Sequence, residues 1–420
     1  MKILYLVHQF YPEFQSGTEK IVYNSAFMTQ KNGNEVKVIT YGFYPKDFFT
    51  HSENGILWKE FIYQGIPVLV FQYEEQPFDL HISLADPQSY EFAKRIILRE
   101  SPDVVHVGHP MRVHQFIRAA KEQHIPILIT LTDFFLICPK VILAPTKDSL
   151  CSGPEKGLAC KRFCGEIDAK YIRERLIEGR NILESADVLV SPSKFLAETF
   201  LKEIDDLQIQ INNHGIRYGN IASNQKIYSQ TTSILFGFTG YIQYHKGVHI
   251  LIKAFRGIKN SDTRLYIYGP GEETFLRQLK EIANNDDRII FKGPFLPEQL
   301  AEIFQEIDVL VTPSIWYENY PMVLHEALAS NVPVIASDLG GMSEKIKNGF
   351  NGLTFIPGDV EDLQNKLSLV INHRELINQY KENIKNNMVI PNVEQEAYWY
   401  QRVYRALGDR EDLTDEKMGR

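Results

Sequence analysis

The run Val309-Leu310-Val311-Thr312-Pro313-Ser314-Ile315-Trp316-Tyr317-Glu318-Asn319-Tyr320-Pro321-Met322-Val323-Leu324-His325-Glu326-Ala327-Leu328-Ala329-Ser330 reads as strand, loop and helix, with a further strand at Val332–Ala336. Val309–Val311 is a β-branched and leucine run ended by Pro313. Pro321 has a fixed φ suited to a first helical turn. Leu324, Ala327 and Leu328 recur at helical spacing. Asn331 tolerates the left-handed conformation that ends a helix, and Pro333 cannot continue one. Two carboxylates mark the unit, Glu318 before the helix and Glu326 within it, at most roughly 12 Å apart if the loop keeps the helical rise. Between them lies a helix N-terminus, whose free N–H groups and positive dipole end suit an anion. A nucleotide diphosphate sugar matches that chemistry, with a polyhydroxyl group, a diphosphate and a ribose diol in a row. Two glutamates at this spacing also occur as ordinary residues of a surface helix.

The longer pattern Pro313-Ser314-x3-Glu318-Asn319-Tyr320-Pro321-x4-Glu326-Ala327-x2-Ser330-x2-Pro333-Val334-Ile335-Ala336-Ser337-x2-Gly340-Gly341 separates these readings. It resembles the C-terminal signature of retaining glycosyltransferases of family 4, which carry a Glu, seven residues and a second Glu here. The resemblance implies an α/β fold of the GT-B type, two Rossmann-like parallel-sheet domains facing across a cleft. It covers nearly the whole chain, most strongly Ile234–Phe355.

Length and composition agree with that scale. A chain of 420 residues suggests two or three domains. Hydrophobic content of 44% and charged content of 23% are those of a globular protein. No apolar run is long enough to span a bilayer. Met1–Val7 is too short an apolar core for a signal peptide, and no small-residue cleavage site follows. It reads as a buried first strand. A net charge of −8 argues against nucleic acid as a partner, while leaving room for a local basic patch in peripheral membrane contact. The cytoplasm is the expected compartment.

Along the chain, residues 1–216 read as an acceptor-side Rossmann-like domain, 217–232 as a linker, and 233–390 as the nucleotide-sugar-binding domain. Residues 391–420 read as a helix and a charged, frayed tail; the resemblance implies that the helix returns to the first domain. Gly17, at the first strand-to-helix turn, lets N–H groups approach a phosphate, or simply makes the turn. Residues 42–64 and 72–90 lack clean periodicity and read as loops and short elements. His106 and His109 stand at or beyond a strand end, where sites in open α/β sheets collect, or serve as hydrogen-bonded structural histidines. Where the family carries a His-Asp pair, this chain has Thr132-Asp133. Lys246 sits on a loop before a helix, placed for a diphosphate; Tyr241 stands where the family has Arg or Gln.

Cys138, Cys151, Cys160 and Cys164 are the only cysteines, all within 27 residues in the loop 134–165. They fit either a tetrahedral structural zinc site or reduced free thiols. Paired C-x2-C knuckles are absent.

The resemblance implies transfer of a hexose-type sugar from a nucleotide diphosphate sugar to a saccharide or lipid-linked acceptor hydroxyl, in surface polysaccharide or glycoconjugate synthesis. Glu318 and Asp133 are the expected catalytic residues. Gly17, Lys246, Asn319, Tyr320, Pro321, Met322, Val323 and Glu326 are the expected donor-binding set. No cofactor is required for catalysis on this reading, because Lys246 and helix N–H groups carry the positive charge. A non-catalytic nucleotide-sugar-binding protein, or an epimerase on the same fold, would keep the binding groups. A nicotinamide-dependent dehydrogenase is disfavoured, since no G-x-G-x-x-G follows the first strand.

Overall fold

The computed structural model describes residues 1–77, 86–217 and 223–409. Two compact units emerge. Unit 1 comprises Met1–Pro145, Cys151–His214 and the chain from Val393 onward; unit 2 comprises Thr146–Leu150 and Gly215–Asn392.

Unit 1 is built on a nine-stranded sheet. Its strands are β1 (Lys2–Val7), β2 (Glu35–Tyr41), β3 (His51–Glu53), β4 (Ile56–Tyr63), β5 (Ile66–Tyr73), β6 (Val104–Val107), β7 (Ile127–Thr130), β8 (Val188–Ser191) and β9 (Ile209–Ile211). The spatial order is β3-β4-β5-β2-β1-β6-β7-β8-β9. From β5 to β9 every pairing is parallel. Five of the six β1 residues are buried, as a central parallel strand covered on both faces requires.

The region expected as loops at 42–64 differs. There β3 and β4 extend the sheet as antiparallel strands, with Ile56 opposite Tyr73 and Tyr63 opposite Ile66. Two tight turns make this geometry. Asn54 and Gly55 have φ of 49° and 74°, and Gln64 and Gly65 have φ of 44° and 85°. Positive φ at both central residues is what a two-residue hairpin turn needs. Residues 78–85 of the second expected loop region lie outside the described residues.

Unit 2 holds β10 (Ile234–Thr239), β11 (Thr263–Tyr268), β12 (Ile289–Gly293), β13 (Val309–Thr312), β14 (Val334–Ser337) and β15 (Gly352–Phe355). They form one parallel sheet in the order β12-β11-β10-β13-β14-β15. Counted from its own first strand, that is 3-2-1-4-5-6, the doubly wound order of Rossmann sheets. The order reverses between β10 and β13.

The stretch 217–232, expected as a linker, belongs to unit 2. Residues 218–222 are outside the described residues, but from 223 onward the chain packs down. Asn224 donates to the carbonyls of Phe304 and Ile307, each at 3.1 Å. The Tyr228 hydroxyl donates to Asp308 at 2.7 Å, and its ring joins the unit 2 core. Polar composition here serves buried hydrogen bonding, so scarcity of apolar residues does not mark a free connector.

Helix Val393–Gly408 lies in unit 1, where Tyr400, Val403, Tyr404 and Leu407 join the core with Ile3, Tyr5 and Val104. The tail from 410 lies outside the described residues.

Candidate active site

In an open parallel sheet, ligands bind beyond the carboxyl ends of the strands where the order reverses. In unit 2 that point is flanked by the loops after β10 and β13. The first carries Lys246 and the second Glu318. These two side chains meet: Lys246 Nζ lies 2.6 Å from Glu318 Oε1. Ser314 Oγ and Trp316 Nε1 donate to the same oxygen at 2.9 and 2.8 Å. Burial pushes the Glu318 carboxyl up, but the Lys246 charge and the bonds from Lys246, Trp316 and Ser314 prevail and hold it below its ordinary value. Glu318 is therefore an anion at neutral pH.

The two loops are clasped. Ile315 N–H donates to the His245 carbonyl at 2.8 Å, and the His245 and Trp316 rings stand 3.8 Å apart. Gly247 ends the Lys246 turn with φ of 71°, and a Cβ there would come within 1.8 Å of the Pro313 carbonyl oxygen. Only glycine fits this crossing. From the other side, Gly341 N–H donates to the Glu318 carbonyl at 2.6 Å. The Gly340-Gly341 pair so lies against the backbone of Glu318-Asn319.

Helix Met322–Ala329 starts at this place, with Pro321 as its cap residue at φ −68° and ψ 99°, and no side chain caps it. Pro321 thus stands just outside the helix, one position earlier than expected. Its carbonyl already accepts from Leu324 N–H at 3.0 Å, and Met322 and Val323 provide the first N–H groups of the turn. Tyr320 is buried and stacks on His325 with centroids 3.8 Å apart. Glu326 is buried on the same helix, and its carbonyl accepts from Ser330 N–H and Ser330 Oγ. Lys246, Glu318, Asn319, Tyr320, Pro321, Met322, Val323 and Glu326 are all in unit 2, on two loops and one helix.

Unit 1 places its candidates at its own reversal point, between β1 and β6. Gly17 is the first residue of helix Gly17–Lys31, and a Cβ there would meet nothing within 4 Å. The preceding Ser16 N–H donates to Glu19 at 2.6 Å in a capping box. Asp133, beyond β7, accepts from Phe135 N–H at 2.8 Å on one oxygen, and its other oxygen lies 2.8 Å from His109 Nε2. His109 Nδ1 faces Met111 N–H at 3.2 Å. That bond uses Nδ1 as acceptor, leaving the proton on Nε2, directed at Asp133. The His8 ring lies against His109, tilted by 36° with centroids 4.0 Å apart.

Thr132, at the position of the family's histidine, donates to the Gly108 carbonyl at 3.3 Å. An imidazole does lie beside Asp133, but it comes from the end of β6. His109 is legible in the sequence as a residue beyond a strand end, but His8 and its approach to His109 are not, because the pairing of β1 with β6 brings them together across about a hundred residues. His106 has another task. Its ring bridges Tyr404 (2.6 Å) and Thr130 (2.8 Å) inside the core, and burial, reinforced by the field of His214, lowers its pKa to about 3. It is a structural histidine.

The four cysteines are free. Among the described residues, no group of three or more His, Cys, Asp or Glu is arranged to hold a metal ion. All four thiols nonetheless line one small cavity of unit 1 with Lys140, Leu143 and Pro154.

Residues 15–217 match the model of Glycosyltransferase Family 4, and residues 221–387 that of Glycosyl transferases group 1. The chain belongs to the group 1/family 4 glycosyltransferase superfamily. An uncharacterized glycosyltransferase of Methanocaldococcus jannaschii is 28% identical over 242 residues, 57% of this chain and 66% of that protein. A D-inositol 3-phosphate glycosyltransferase of Pseudarthrobacter chlorophenolicus is 37% identical over 123 residues, 28% of this chain and 29% of its own. The chain thus aligns with between about a third and two thirds of the curated relatives' length. Among solved structures, sucrose-phosphate synthase of Thermosynechococcus elongatus superposes with a TM-score of 0.71 at 18% identity, covering 98% of this chain and 100% of the other. HepE of Anabaena, in complex with UDP and glucose, gives 0.69 at 16% identity, covering 97% and 100%. The fold of this superfamily member is GT-B.

Proposed function

We propose that this superfamily member transfers a sugar, with retention of anomeric configuration, from a nucleoside diphosphate sugar to an acceptor hydroxyl, in the synthesis of a polysaccharide or glycoconjugate. The observation that carries the reading is the Lys246–Glu318 contact at the reversal point of unit 2, beside an uncapped helix N-terminus. A cation, a largely buried carboxylate and free N–H groups in one crevice suit a ligand that is anionic at one end and rich in hydroxyls at the other. The UDP and glucose bound to HepE give that ligand class a precedent.

In this reading the leaving group is a nucleoside diphosphate. Cleavage of the anomeric C–O bond leaves the electron pair on the oxygen of its terminal phosphate, and the acceptor hydroxyl passes its proton to that phosphate oxygen as the new C–O bond forms on the same face. Lys246 and the N–H groups of Met322 and Val323 stabilise the growing phosphate charge, a contribution that fixed donors make best. Glu318 accepts from donor-sugar hydroxyls and Glu326 from the ribose diol. Because the Lys246 charge is compensated by Glu318 before donor arrives, the diphosphate competes with the carboxylate for the ammonium. Asp133, held by Phe135 N–H and His109, orients groups on the acceptor side. Protein donors supply the positive charge, so the reaction is assigned as metal-independent.

The test is incubation with a panel of nucleotide sugars and an acceptor-containing lysate fraction, with and without EDTA, following nucleoside diphosphate release and the product's anomeric proton coupling. Retained configuration and an EDTA-insensitive rate are expected. An inverted product, or a free epimerised sugar nucleotide, overturns the reading. Donor binding without turnover in any fraction favours the non-catalytic alternative.

A further inference from the structure

The segment 131–168, which belongs to unit 1 apart from Thr146–Leu150, runs from β7 to helix Ala169–Ser185 with little regular structure. One short helix, Leu158–Phe163, and a single 3-10 turn are its only helical elements. Its backbone turns repeatedly through positive φ at residues other than glycine: Val141 (70°), Leu143 (49°), Glu155 (50°) and Lys156 (55°). A β-branched residue such as Val141 enters that region only when its surroundings over-determine it. A loop of this length inside a compact unit ordinarily needs a pin.

Four thiols converge within it. Cys138, Cys151, Cys160 and Cys164 line one cavity, and three of the four are buried. Each sits on a fixed backbone point. Cys138 N–H donates to Phe134 O at 2.8 Å, Cys151 N–H to Leu143 O at 2.7 Å, and Cys164 N–H to Cys160 O at 2.8 Å, which sets the last two one helical turn apart. The fifth polar side chain of the cavity is cationic: Lys140, which also pairs with Glu166.

We propose that this cavity is a structural zinc site with Cys138, Cys151, Cys160 and Cys164 as ligands. Four thiolates around one Zn²⁺ form a closed tetrahedral shell with no open position, which is the structural and not the catalytic arrangement. Binding converts four thiols into four thiolates and releases four protons per zinc. The complex carries a net charge of −2, and Lys140 lies in place to offset part of it. The Cys151 thiol donates to the Gly153 carbonyl, with Sγ 3.1 Å from the oxygen. Zinc would draw the four thiols together from the walls of this cavity, Cys151 turning away from Gly153 as it binds. The proposal is independent of the glycosyl-transfer reading, because it concerns how unit 1 holds this loop.

The experiment is elemental analysis of the purified full chain by plasma emission. It is paired with thiol modification by a mercurial in the presence of a metallochromic dye. The expected result is about one zinc per chain, released in step with modification of four thiols. Cys160→Ser should lose most of the metal, while Lys246→Ala, in unit 2, should retain it. If Cys160→Ser fails to fold, the wild-type stoichiometry and the dye response decide alone. Zinc-free protein with four titratable thiols overturns the proposal. So does iron with visible absorbance, or protein with no titratable thiol until reduced, which would indicate two disulfides.

Discussion

Glu318 receives three hydrogen bonds on one oxygen, and the ammonium of Lys246 supplies one of them. Replacing Lys246 with Met leaves a largely buried carboxylate with two neutral donors, which should cost about 1–3 kcal/mol at neutral pH. The sign follows from the lowered pKa of Glu318. A depressed carboxyl stabilises the fold above its unfolded value, and that stabilisation disappears as pH falls through the folded value. The melting temperatures of wild type and Lys246→Met should therefore differ most at pH 7, and the gap should close as pH falls past the ordinary carboxyl value and through the lowered folded one. A gap that stays constant with pH would contradict the pairing. Gly247→Ala tests the clasp behind it: a left-handed φ and an overlap with Pro313 O should cost about 1–3 kcal/mol or more and weaken nucleoside diphosphate binding as well. Glu318 and Glu326 are legible as a pair from their spacing. The contact of Glu318 with Lys246 is not, because it joins loops 72 residues apart and exists only once β10 and β13 lie side by side.

Helix Val393–Gly408 shows the same division between elements. Its aromatic pattern announces a buried helix, but the pattern carries nothing about its partners. In the structure Tyr404 bonds to Tyr5 at 2.9 Å and to His106, while Tyr400 bonds to Thr130 at 2.9 Å. His214 faces Glu396 at 2.8 Å, both buried. His106 is neutral in the fold and titrates only near pH 3, whereas in the unfolded chain it takes a proton near its ordinary value of 6.5. Its contribution is therefore complete above pH 6.5 and is lost as pH falls from there toward 3. His106→Gln should flatten that part of the stability–pH curve while lowering stability at pH 7, measured by urea unfolding across the range. An unchanged slope would remove the histidine from the network. The hairpin strands β3 and β4 were obscure for a different reason. Their alternation is broken by charges, by half-buried aromatics on both faces and by the exposed Ile62, so periodicity marks no strand. The local signal was Asn54-Gly55, a hairpin dipeptide between two candidate strands, and it outweighs the missing periodicity.

For the whole molecule, the alternation of strands and helices is strong enough in the sequence to read two Rossmann-like sheets. The segment 223–232 shows the limit of that reading, because polar residues that satisfy buried carbonyls have the composition of a linker. No helix among the described residues is long and apolar enough to cross a membrane. Glu326→Ala should weaken nucleoside diphosphate binding about 10- to 100-fold, or about 1.4–2.8 kcal/mol, if its carboxylate holds the ribose; unchanged affinity would remove that role. The most direct measurement is calorimetric titration of UDP, GDP, ADP and their sugars into the wild type and Lys246→Ala. The account predicts a clear preference for one base in the wild type and its loss, by tenfold or more, in the variant. Equal affinity in both proteins, or no binding of any nucleoside diphosphate to the wild type, would contradict the assignment of this crevice to the donor.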